Sequence, residues 1–109
     1  MKLKKTQIRI FNRIFEAETG YLLNFGNQSF SEFFDEELNI DIDDDIYKAE
    51  GDSKAKRTRY LIKTVDLDNA LKILDKLWEH KSLINPQKAI DDLADYHSLI
   101  ESLKKQGEQ

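Results

Sequence analysis

Apolar residues recur along most of this chain at intervals of three and four, the spacing that gathers side chains on one face of an α-helix. Ile8, Phe11 and Phe15, with Ile10 and Ile14 alongside, predict a first helix from Leu3 to about Glu18, stopped by Gly20. Tyr21 to Phe25 is short, apolar and bounded by Gly20 and Gly26, which predicts a buried extended segment or brief strand. Ser29 followed by Glu32 has capping-box spacing, and Phe30, Phe33, Phe34 and Leu38 then line a second helix. Residues 39–52 interleave Ile40, Ile42 and Ile46 with carboxylates before Tyr47 and Gly51. That pattern predicts an ordered connection, with room for one helical turn, whose isoleucines dock on the core.

Ser53 is a good N-cap for a third helix running to about Lys63, with Ala55, Leu61 and Ile62 available for burial. Asp66 or Asp68 caps a fourth, where Leu67, Ala70, Leu71, Leu74, Leu77 and Trp78 form one stripe with Ile73 at its edge; Trp78 is expected to be largely buried. Asn85 and Pro86 pair an N-cap with a proline at the first helical position. The fifth helix they open carries Ala89, Ile90, Leu93, Ala94, His97 and Ile100 on one stripe, and fades into a polar tail over residues 104–109. The expected fold is therefore mainly α, a compact bundle of about five helices with a short extended/β element near residues 21–25. A chain of 109 residues suits one core, so residues 1–109 are read as a single helical domain.

Composition narrows the chemistry. Without cysteine the chain has no disulfide framework, thiolate zinc site, iron–sulfur cluster or cysteine nucleophile. No apolar run approaches the roughly 20 residues that span a bilayer, and Met1-Lys2-Leu3-Lys4-Lys5 leads into an amphipathic segment rather than a signal-peptide core. The expectation is a cytoplasmic protein that does not enter membranes.

The net charge of −4 conceals a strong segregation. Residues 31–52 carry ten acids against Lys48, a net −9, and residues 53–63 carry five bases and no acid, a net +5. These adjacent blocks are expected chiefly to neutralise one another across the surface. The acidic block resembles a calcium loop only briefly: Asp41, Asp43 and Asp45 stand at the first, third and fifth positions, but Ile46 occupies the turn where glycine is needed and Asp52 the place of the bidentate glutamate. His80, at the end of one helix, and His97, on the stripe of another, are not expected to ligate a metal. No metal, cofactor or catalytic residue is assigned, and no phosphate-loop or nucleophile-elbow motif occurs.

Lys54, Lys56, Arg57 and Arg59 form the one candidate site with a mechanism behind it, since on a helix their charged groups could follow a phosphate backbone. Overall acidity, and the carboxylates immediately preceding, argue instead for service to the acidic segment of this same chain or to an acidic partner protein.

From Gly20 to Trp78 the sequence resembles the N-terminal module of bacterial abortive infection (AbiJ-like) antiphage defence proteins. The residues carrying the resemblance are GYLLNFGNQSFSEFFDEELNIDIDDDIYKAEGDSKAKRTRYL, followed by the leucine-rich helix ending LWEH. Gly26 stands where a serine, and Thr58 where a leucine, would be expected. The resemblance implies a place at the N-terminus of a longer defence protein with an effector region following, and a non-enzymatic sensing, targeting or oligomerisation role. It implies a protein partner or self-association, and the charge pattern of helix 54–63 leaves nucleic-acid binding as the alternative.

Overall fold

The computed structural model describes residues 1–108 and is mainly helical. Five α-helices follow one another: α1 Lys5–Ile14, α2 Asn27–Leu38, α3 Lys54–Thr64, α4 Leu67–Ile84 and α5 Pro86–Gly107, with a 3-10 helix at Asp45–Lys48 between α2 and α3. Three starts are set locally as the sequence predicts. Ser53 Oγ accepts from the Lys56 amide, an Asp66 carboxylate oxygen from the Asn69 amide, and Asn85 Oδ1 from the Lys88 amide ahead of Pro86.

The first two helices differ from their expected bounds. α1 ends four residues early, because Glu16 adopts a left-handed backbone (φ +50°) and the Ala17 amide turns back to the Asn12 carbonyl at 2.8 Å. This six-to-one closure usually employs glycine, so the stop carries no sequence signal. α2 begins two residues before Ser29, whose Oγ accepts from the Gly26 amide at 2.9 Å.

Residues 21–25 form a turn, not a strand. Leu23 is left-handed (φ +45°), its amide donates to the Phe15 carbonyl at 2.9 Å, and the Phe25 amide closes on Leu22. The apolar content of this segment is nonetheless used, since Leu22 and Phe25 are both buried.

The core is built from Phe11, Ile14 and Phe15 of α1 and its end, Phe30 and Phe34 of α2, Leu61 and Ile62 of α3, Ile73, Leu74 and Leu77 of α4, and Leu99 and Leu103 of α5. α4 and α5 form an antiparallel hairpin, and α1 lies along α5. In the connection Ile42 is buried and Ile40 packs on the core, but Ile46 is 61% exposed, against expectation. Trp78 is half-buried: its ring stacks on Tyr96 with centroids 4.3 Å apart and meets Phe15 edge-on. Burial, with Asp75 nearby, pushes the Tyr96 phenol up to about 12.

The largest departure concerns α5. Its buried positions are Ala89, Tyr96, Leu99 and Leu103, while Ile90, Leu93, Ala94 and His97 of the predicted inner stripe are exposed. The helix also continues through Gly107, so most of the segment read as a polar tail is helical, with Glu108 in a turn and Gln109 lying outside the described residues. Among the described residues, no helix is long and apolar enough to cross a membrane.

Candidate interaction surfaces

The four cations singled out in the sequence do not act together. Arg57 points inward and is 8% exposed. Its Nε donates to the Asp52 carbonyl at 2.9 Å, its Nη1 to Asp43 at 2.9 Å and to the Ile42 carbonyl at 3.5 Å, and its guanidinium lies 4.9 Å from the centre of the Phe30 ring. Three of the five donors of this planar group are thus taken up by two backbone carbonyls and one carboxylate. The arginine thereby fastens the acidic connection to α3. Arg59 is half-buried, with Nη1 on Asn12 Oδ1 at 2.7 Å and near the Ala17 carbonyl, so it staples α3 to the end of α1. Burial lowers its pKa, opposed by Glu50. Lys54 and Lys56 are left, and the Lys56 stem lies over Gly51.

The acidic block is likewise occupied locally. The Ser31 hydroxyl donates to Asp43, and Asp43 is held below the ordinary carboxylate value of 3.8 chiefly by that bond, which outweighs the opposing effect of burial, with Arg57 and Lys48 adding to the lowering. Asp44 accepts from the Ile46 amide, Asp41 from the Asp43 amide, and Glu50 pairs with Lys63. The two blocks counted as −9 and +5 are stitched to one another by Arg57–Asp43 and Lys63–Glu50.

A different surface stands open. On α5, Gln87, Ile90, Leu93, Ala94 and His97 are all exposed at helical spacing and bear no formal charge at neutral pH. In a chain of which 35% of residues are charged, an exposed stripe without charge needs a reason. Ile90 is 69% and Leu93 41% exposed, and Ile84 at the end of α4 is 40% exposed, whereas Leu83 lines a separate recess with Phe33, Glu37 and His80. Ile84, Ile90 and Leu93 offer on the order of 300 Å² of apolar surface, within the range of the largest patch on an ordinary monomer. Helical periodicity does find Ile90, Leu93, Ala94 and His97, but it cannot tell an inward stripe from an outward one.

His80 does not join this surface. It stacks on Phe25 with centroids 4.5 Å apart, contacts Asn24 Oδ1 through Nε2 at 2.9 Å, and has its pKa lowered by burial. No family model matches the chain, and neither a curated protein nor a solved structure matches it.

Proposed function

We propose that this chain is a non-enzymatic interaction module that docks through the uncharged stripe of α5, and that the partner seated there is a second copy of the chain. The observation carrying this reading is the exposed, charge-free run Gln87, Ile90, Leu93, Ala94 and His97. Two α5 helices crossing antiparallel near residue 92 would set each Ile90 against the small Ala94 of its mate, and each Gln87 against His97, with no like charges opposed. Together with Ile84 the apolar area is about a third of the roughly 800 Å² that one side of a standard interface contributes, leaving the remainder to a polar rim. Twofold pairing of this kind is the commonest form of self-association.

The resemblance of residues 20–78 to abortive infection modules supports placing this role in a cytoplasmic bacterial antiphage system. The nucleic-acid alternative is the weaker reading, because Arg57 and Arg59 are engaged within the fold.

Sedimentation velocity of the intact chain from about 10 μM to 1 mM tests the reading, 1 mM corresponding to the weakest useful affinities. Mass rising towards the dimer in the wild type, and remaining monomeric in Ile90→Lys with an unchanged circular dichroism spectrum, is expected. A wild type monomeric throughout, or an Ile90→Lys variant that still dimerises, overturns the proposed face.

A further inference from the structure

Between the connection, α3 and α4 lies a cavity of about 260 Å³ that neither the interaction stripe nor the charge stitching uses. Leu61 and Ile73, each 1% exposed, form part of its wall. Ile40 adds a further apolar side, delivered there after Asn39 reverses the chain in a left-handed conformation (φ +55°). Three polar residues share the lining: Tyr47 of the 3-10 helix, and Asn69 and Lys72 of α4. Their side chains form no hydrogen bond or ion pair among the described residues, the Asn69 amide bond to Asp66 being a backbone one. Lys76, one turn further along α4, is by contrast held by Glu37 and Glu79.

A concave space lined by apolar side chains together with a few uncommitted polar groups is a common form of small-molecule site. Its volume exceeds the roughly 150 Å³ of an apolar cavity that takes up benzene, and falls near the lower end of ordinary ligand pockets. The polar groups select the ligand's chemistry. An ammonium, an amide and a phenol can all donate to one anionic group, and the only formal charge among them is positive. We propose that this cavity binds a small carboxylate carried on a compact apolar body, the body packing on Ile40, Leu61 and Ile73 and the carboxylate meeting Lys72, Asn69 and Tyr47. The site stands independently of the α5 stripe.

Phenylacetate and its uncharged counterpart 2-phenylethanol are suitable probes, titrated into the isotopically labelled full chain while amide resonances are followed. Phenylacetate is expected to give saturable shifts concentrated in residues 38–47 and 61–73, with a dissociation constant in about the low millimolar range for a ligand of this size. It should bind roughly fivefold more tightly than the alcohol, a preference of the size that one partly solvated charge supplies. Lys72 is exposed, so Lys72→Gln preserves the fold; it should abolish the preference for the acid and leave the alcohol's affinity unchanged. Shifts that do not saturate or that scatter over the surface, equal affinities for acid and alcohol, or an undiminished preference in Lys72→Gln would each overturn the site.

Discussion

Lys81 is drawn almost wholly into the protein, with 3% of its side chain exposed. Its Nζ donates to the Ile14 carbonyl at 2.6 Å and to Asp92 at 2.5 Å, and lies 5.0 Å from the centre of the Trp78 ring. Removing one partner of such a pair strands the other, so Lys81→Ala should destabilise by about 2–4 kcal/mol in chemical denaturation. Lys81→Met combined with Asp92→Leu should lose much less, because neither charge is then left alone. Equal losses in the two variants would show that neither the stranding of Asp92 nor the packing of the lysine stem matters, and that the Nζ bonds lost in both carry the stabilisation. His80 sets a pH dependence of the opposite origin. Burial lowers its pKa from 6.5, so the folded state binds the proton less readily than the unfolded chain. The associated stability is present above pH 6.5 and is lost as the pH falls through the lower folded value. Thermal midpoints should therefore decline on acidification from neutrality, and His80→Phe, which keeps a ring against Phe25, should flatten that decline.

At the level of elements, α3 gives the sharpest contrast between its charges. Arg57→Glu places a carboxylate beside Asp43 and two backbone carbonyls, and should lower the melting temperature by more than about 10 °C, since each kcal/mol shifts a domain of this size by several degrees. Lys54→Glu combined with Lys56→Glu should leave the midpoint within a few degrees and leave weak duplex binding almost unaltered. A submicromolar DNA complex at physiological salt that vanishes in this folded double variant would restore the nucleic-acid reading instead. The same helices show what a sequence reveals. The starts of α3, α4 and α5 were legible because Ser53, Asp66 and Asn85 act on amides three residues away. The end of α1 was not, because a glutamate occupies a left-handed position ordinarily given to glycine. The register of α5 misled for a tertiary reason. The inward face runs through Asp92, which an apolar-pattern reading rejects, and Lys81 from α4 is what makes its partial burial tolerable. The cavity around Lys72 left no local signal at all, since its walls come from three separate stretches of chain.

Across the whole molecule, a radius of gyration of 13.0 Å is that of a tightly folded chain of this length, and the two ends of the sequence are part of how it closes. The N-terminal amine donates to the Lys63 carbonyl at 2.5 Å, anchoring the start of the chain to α3. Gln7, only 1% exposed, is held by its Nε2 on Ser102 at 2.8 Å and Gln106 at 3.0 Å, and the Gln106 amide group donates to the Lys2 carbonyl. Gly107 lies so close to Leu67 that a Cβ there would fall 2.5 Å from a leucine methyl, which brings the end of α5 against the start of α4. The last turn is thus a clasp across α1 and α4. Ending the chain after Lys105 removes Gln106 from both bonds and leaves the Gln7 Nε2 with Ser102 alone, which should destabilise by about 1–3 kcal/mol. Gln106→Ala, which keeps the helix, should retain the contact with Leu67 and lose less. Hydrogen exchange separates the clasp from simple fraying: the truncation should speed exchange in the first turn of α1 as well as in the end of α5. If only α5 responds and the denaturation midpoint barely moves, the last turn merely rests on the fold and does not hold its beginning in place.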